Sequence, residues 1–320
     1  MALIKSNFQA PWWLKSPHTQ TLWSTFFKRR PKLSLKSHRI ELADGDFIDL
    51  AITDISNKPL VLILHGLEGS LASHYAKPLM HKLDQSGYGA IFMHFRGCSD
   101  EMNRLDRSYH SGDTTDLNHV IDAIQEQFQQ QLFAVIGFSL GGNVLLKWLG
   151  EKGAKARTQT AIAVSVPFQL AHAGDRLEKS FSRVYQKHLI SRCQRKYRDK
   201  FSNKTSPLDI NIDELNTFFS FDDQVTAPLH GFNGANDYYT QCSSRQFLKD
   251  IKKPTLILHA KDDPFMWEHT VPEEQELSQS IQLELSEQGG HVGFITGKSP
   301  FHAEYWVDQR ILEWLDTINS

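Results

Sequence analysis

From residue 60 onwards, short apolar runs alternate with stretches whose apolar positions recur every three or four residues. LVLILH (60–65) precedes a helix-like pattern near 74–86, GAIFMHF (89–95) precedes one over 113–129, and LFAVIG (132–137) one over 140–150. TAIAVSV (160–166), PTLILHA (254–260) and IQLELS (281–286) follow, and a last helical pattern covers 302–317. Continuous apolar runs of this length are strands covered on both faces. Their alternation with helices predicts an α/β fold: a mostly parallel central sheet of about eight strands with helices on both faces. Upstream, LSLKSHRIEL (33–42) and DFIDLAI (46–52) flank Asp44-Gly45 and predict a hairpin at the leading edge of the sheet.

The alternation stops between 167 and 240, where no strand-like run occurs. There Leu177, Phe181, Val184, Leu189, Cys193, Tyr197 and Phe201 fall at helical spacing. This predicts a helical cap inserted into one domain spanning 1–320, with an N-terminal arm over 1–36. No repeat, low-complexity tract or flexible linker marks a second domain.

The chain has 320 residues and 40% hydrophobic content, enough for a sizeable core. Lys and Arg (35) nearly balance Asp and Glu (37), so no global field favours nucleic acid as a partner. Cys98, Cys193 and Cys242 are odd in number and widely spaced, without a metal or redox pattern, and fit a reducing compartment. The N-terminus lacks the uninterrupted apolar core of a signal peptide and no run is long enough to span a bilayer. A cytoplasmic monomer without metal or cofactor is the expectation.

Strand LFAVIG runs into Gly137-Phe138-Ser139-Leu140-Gly141 and then a helix. A serine between glycines at a strand-to-helix turn is the pattern of a nucleophile elbow, where the tight turn lifts the hydroxyl out of the sheet edge. A serine needs a histidine base, itself oriented by a carboxylate. PTLILHAKDDPF places Asp262 and Asp263 after one strand, and ELSEQGGHVGF places His291 after the next. In a parallel sheet these loops gather at one edge, so Ser139, Asp263 and His291 are expected to converge. Asp263, immediately before Pro264, is the preferred carboxylate; Asp262 is expected to cap the loop or pair with Lys261. Gly289-Gly290 and Gly293 around His291 predict a close backbone approach. Oxyanion donors are assigned to the N–H groups of Leu67, after the strand LVLILH, and of Leu140, after the serine. His65 is expected to brace its loop rather than act as a second base.

Together HGLEGS, HFRGCS, GFSLGGN, HAKDDPF and GGHVGF resemble the YheT-like subfamily of the α/β-hydrolase superfamily. The resemblance spans nearly the whole chain, including SPHTQTLW (16–23). It implies the α/β-hydrolase fold with a cap and a small-molecule acyl ester substrate of short to medium chain or an acylglycerol. Cleavage would run through an acyl-enzyme on Ser139, with His291 and Asp263. An acyltransferase using the same intermediate and a non-catalytic binding protein of this fold are the alternatives. No motif reads acyl length or head group.

Two further features bear on substrate. Segment 176–204 carries ten basic residues against Glu178 and Asp199, whereas 205–225 carries five acidic residues and no basic one. The excess either attracts an anionic head group or is compensated within the cap. Trp12, Trp13, Trp23, Phe26 and Phe27 precede Lys28-Arg29-Arg30. These aromatics either pack the arm over the domain or form a peripheral membrane contact.

Overall fold

A computed structural model of the chain describes residues 2–320. Its main sheet has nine strands: β1 (Leu3–Lys5), β2 (Lys36–Glu41), β3 (Phe47–Ile52), β4 (Leu60–Leu64), β5 (Gly89–Met93), β6 (Leu132–Phe138), β7 (Thr158–Val164), β8 (Thr255–Ala260) and β9 (Ile281–Ser286). They lie in the order β1-β9-β8-β7-β6-β4-β5-β3-β2, antiparallel only where β3 pairs with β2 and β5. The helices are α1 (Pro17–Phe27), α2 (Ala76–Gln85), α3 (Thr114–Phe128), α4 (Leu140–Lys152), α5 (Leu170–Leu177), α6 (Ser182–Lys200), α7 (Phe218–Phe221), α8 (Ala227–His230), α9 (Ala235–Cys242) and α10 (Trp306–Asn319).

The apolar strands are buried on both faces, as their continuous patterns require. Leu62, Leu64, Ile91, Met93, Val135 and Ile257 point into one core with Leu117 and Ile121 of α3 and Leu145 and Trp148 of α4. Val61, Ile63, Phe92, Ile136, Val164 and Leu258 point into the other with Leu79 and Leu83 of α2 and Ile311 of α10. Neighbouring residues of one strand thus serve opposite cores, the period-2 geometry of a strand.

The ninth strand lies in the expected arm. Leu3, Ile4 and Lys5 pair in parallel with Leu283, Glu284 and Leu285, so the arm completes the sheet edge rather than only lying over it. Three residues carry too little pattern to announce a strand; register against β9 supplies the hydrogen bonds that decide the matter. From there the arm runs to α1, which Gln20 fixes in place. Its buried side chain donates to Leu14 O and Ile295 O at 2.9 Å each and accepts from Ile295 N at 2.6 Å. Lys28, just past α1, forms a buried ion pair with Asp308 of α10 at 2.7 Å.

The strand ends are level where it matters. Leu64 pairs with Gly137, Phe138 with Val164, and Ala260 with Ser286, so the loops after β4, β6, β8 and β9 leave one carboxyl edge. From β4 the order proceeds to β5 on one side and β6 on the other, and at such a reversal the flanking loops part to leave a crevice. Helices α5 to α9, between β7 and β8, stand over that edge. The helical stripe of 176–204 is interrupted at 178–181, where Ser180 takes a positive φ of 47° and α5 gives way to α6.

Gln20→Leu would strand the Ile295 N–H and two carbonyls in the interior. We expect a loss of about 2 to 4 kcal/mol, measured as a lower urea midpoint with unchanged slope.

Candidate active site

At the end of β6 the backbone of Ser139 takes φ 51° and ψ −117°, a region that costs a non-glycine residue on the order of 1 to 3 kcal/mol. The turn survives because it is pinned and because its neighbours lack side chains. Ser139 N donates to Val164 O at 2.8 Å. A Cβ on Gly137 would sit 2.5 Å from Gly141 O, and one on Gly141 2.5 Å from His65 O. Strand, turn and helix therefore approach one another as only glycine allows. Helix α4 starts at the next residue, with its unbonded first-turn N–H groups beside the hydroxyl.

The loops after β8 and β9 bring their side chains to this hydroxyl. His291 Nε2 lies 3.0 Å from Ser139 Oγ, and His291 Nδ1 lies 2.8 Å from Asp263 Oδ2. A carboxylate only accepts, so Nδ1 carries the proton and Nε2 accepts from the serine. Asp263 is almost wholly buried and its other oxygen accepts from Phe265 N at 2.8 Å. Phe265 lies flat on the imidazole, 4.0 Å between centroids with the planes 4° apart, and keeps solvent off that face.

Helix α1 makes the close approach to the His291 loop. A Cβ on Gly290 would meet Pro17 O at 2.5 Å and one on Gly293 would meet Gln20 O at 2.5 Å. Thr21 Oγ1 accepts from His291 N at 2.9 Å while donating to Pro17 O at 2.7 Å. These supports, Gln20, Thr21 and Phe265, have no chemical signature of their own in the sequence. SPHTQTLW and DDPF carried the signal, but only contact shows that both serve the histidine.

On the opposite side, the loop after β4 leaves the Leu67 N–H free. Gly66 N donates to Tyr75 OH at 2.9 Å, Glu68 N to Tyr109 OH at 2.7 Å, and Gly69 N to Gly66 O at 3.0 Å. Among the described residues Leu67 N–H and Leu140 N–H have no acceptor, and both residues border the same cavity as Ser139 and His291. Glu68, at φ 53°, is held from α6: Lys196 Nζ reaches its carboxylate at 2.6 Å and Arg192 donates to its carbonyl at 2.5 Å.

His65 and Asp262 are placed otherwise. His65 is fully buried, which pushes its pKa down to about 3 and keeps it neutral. It bonds Gly66 O through Nδ1 at 2.7 Å and accepts from Phe95 N at 3.1 Å, bracing two loops. Asp262 accepts from Gly290 N at 2.9 Å, beside His291 rather than on it. Lys261 instead pairs with Glu287 at 2.8 Å. Arg96, in the run HFRGCS, is buried among Asp44, Asp46 and Asp116 within 2.9 Å of each and belongs to the scaffold.

The hydroxyl opens into a cavity of about 820 Å³ walled by Leu170, Leu177, Phe181, Val184, Tyr185 and Leu189 of the inserted helices. Tyr197 and Phe201 instead border a second, smaller cavity of about 120 Å³, which adjoins the large one at Leu67, Leu140 and Asp222. The apolar stripe is thus divided between two spaces, and Phe201 does not border the large one. Four of the ten basic residues of 176–204 form ion pairs: Lys179 with Asp175, Lys196 with Glu68, Arg198 with Asp213 and Lys204 with Asp106. Arg192 borders the large cavity, while Arg195 faces solvent. No group of three metal-ligating side chains occurs among the described residues.

Residues 59–298 match the family model described as the alpha/beta hydrolase fold. The chain is 41% identical to YheT of Escherichia coli (strain K12) over 307 residues, covering 94% of this chain and 90% of that protein. It is 28% identical to phospholipase ABHD3 of Mus musculus, over 95% of this chain and 77% of the relative. Among solved structures, the Pyrococcus furiosus esterase Pf2001 superposes with a TM-score of 0.61 at 19% identity, covering 90% of this chain and 92% of that one.

The environment of Asp262 can be read by titration. Burial raises the Asp262 pKa to about 6, so the fold favours its protonated form, and that contribution fades as pH rises through about 6. Asn keeps the acceptor for Gly290 N–H without the charge. Relative to the wild type, Asp262→Asn should gain about 1 to 2 kcal/mol between about pH 4 and pH 7.5, read from urea midpoints.

Proposed function

The chain belongs to the YheT-like subfamily of the α/β-hydrolase family and is a carboxylic ester hydrolase, and from that premise we propose that Ser139, His291 and Asp263 carry the reaction. The observation that supports this most directly is the continuous line of hydrogen bonds from Ser139 Oγ through both imidazole nitrogens to Asp263 Oδ2, at 3.0 and 2.8 Å. In this reading Ser139 Oγ attacks the ester carbonyl as its proton passes to His291 Nε2. Asp263 keeps Nδ1 protonated and stabilises the imidazolium that forms. The tetrahedral oxyanion takes the two free N–H groups of Leu67 and Leu140. Its collapse expels the alcohol, protonated by His291, and leaves an acyl group on Ser139. Water, deprotonated by the same nitrogen, then releases the acid.

The substrates proposed are acyl esters of short to medium chain, or acylglycerols, with the acyl chain along the apolar walls of α5 and α6. A cavity of about 820 Å³ lies within the roughly 300 to 1,000 Å³ of ligand clefts and exceeds the need of a simple acetate ester. Relatives are named phospholipase, in mouse, and monoacylglycerol lipase, in Saccharomyces cerevisiae, the latter 29% identical over 76% of this chain and 56% of that protein. Helices of 167–240 act here as a lid that sets acyl preference. A cytoplasmic site of action agrees with three free cysteines, all buried.

An alkyl fluorophosphonate should label Ser139, located by peptide mass spectrometry. Ser139→Ala should abolish labelling and reduce kcat by about 10⁴-fold or more, with circular dichroism unchanged. Asp263→Asn should cost on the order of 10⁴-fold and Asp262→Asn far less. Label on a different serine, or a crippling Asp262→Asn, overturns the assignment.

Phe181→Ala and Tyr185→Ala should shift the ranking of kcat/KM across p-nitrophenyl esters of graded length, by roughly 1 to 3 kcal/mol between best and worst chains. An equal fall for every chain length would make α6 a stabilising element only.

A further inference from the structure

The mouth of the large cavity is ringed by apolar side chains that nothing covers. Phe26 of α1 and Phe181 and Val184 at the start of α6 line the cavity, yet are 72%, 46% and 56% exposed. Phe27, packed against Trp23 at 4.4 Å between centroids, is 62% exposed. The two elements meet beneath this rim, where His18 lies 4.5 Å from the Phe181 ring and 3.2 Å from Tyr185 OH. Large aromatic side chains left in water around one opening mark a surface that meets an apolar medium.

The chain segments that carry this rim are rich in Lys and Arg. Residues 2–40 contain eight Lys and Arg and no acidic residue, and α6 has none between Glu178 and Asp199. Lys28 is used internally against Asp308. Arg29, Arg30, Arg183 and Lys187 are exposed and, among the described residues, have no ion-pair partner. An apolar tip with an unpaired basic collar is the composition that sits at the interface of an anionic bilayer.

We propose that this rim seats the protein on an anionic lipid surface with the cavity mouth turned towards the bilayer. Phe26, Phe27, Phe181 and Val184 enter the headgroup and acyl boundary and the arginines meet phosphate groups. A lipid surface fits better than a protein partner because the exposed side chains surround the entrance itself. A folded partner would plug it, whereas a fluid apolar medium leaves it open to a lipid ester. Among the described residues no helix is long and apolar enough to cross a membrane, so this contact is peripheral. The biological sense of the docking rests on the ester hydrolase reading, but the contact itself does not.

The test is co-sedimentation of the full chain carrying Ser139→Ala with vesicles of phosphatidylcholine alone and with about one third phosphatidylglycerol. Binding independent of turnover is thereby read, so failed docking and failed catalysis remain distinct. The chain should bind the anionic vesicles by about tenfold or more over the neutral ones. Phe27→Ser/Arg29→Gln, neither of which lines the cavity, should lose about tenfold or more of that binding. In the Ser139 background the same pair should leave turnover of soluble p-nitrophenyl butyrate within about twofold. Absence of vesicle binding, or binding that survives the double substitution, overturns the proposal. So does a dimer seen by light scattering that Phe27→Ser dissociates, since the rim would then be covered by a second copy.

Discussion

A hydroxyl at residue 139 looks out over the sheet edge only if the chain turns from strand to helix around a single residue. That turn needs a side-chain-bearing residue at positive φ, flanked by backbone so close that Gly137 and Gly141 admit no Cβ. The remaining elements are arranged around this constraint. Level strand ends carry the loops of Leu67, Asp263 and His291 to the same edge. The packed two-faced core holds the strained turn, whose cost is small against the apolar surface buried around it.

Support for the site is divided by side. The histidine loop rests on α1, through Thr21 and the approach of Pro17 and Gln20 to two glycines, and is capped from within by Asp262. The loop of Leu67 rests on α6, through Arg192 and Lys196 acting on Glu68. These bonds join the inserted helices to the loop bearing the free Leu67 N–H. Any displacement of α6 therefore also disturbs the backbone of Glu68, next to that donor.

Strands covered on both faces and the spacing of GFSLGGN, HAKDDPF and GGHVGF made the sheet and the convergence of its loops legible, because local pattern and global fold impose the same demands there. Strand β1 was not legible: three residues have no period of their own, and only pairing with β9 defines them. Nor was the sharing of the stripe in 176–204 between two chambers, because spacing gives the face of a helix but not what stands opposite each part of it. The arm's aromatics divide in the same way. Trp13 and Trp23 pack edge to face at 4.8 Å, while Trp12, Phe26 and Phe27 remain in solvent. Composition alone assigns all five to one fate.

The pairing of Leu3 with Leu283 has a consequence for the order in which the molecule is made. The contacts between α1 and the histidine loop likewise join residues about 270 positions apart, as the bond from His291 N to Thr21 does. Contacts of such separation close the longest loops in the chain, and they close after the local ones. During synthesis the first forty residues emerge well before their partners exist. Their aromatic side chains must wait, uncovered, through the translation of the whole sheet. The site is therefore finished only when residues near 20 meet those near 290, and a ribosome-bound fragment ending before β9 carries the turn at Ser139 but no braced His291.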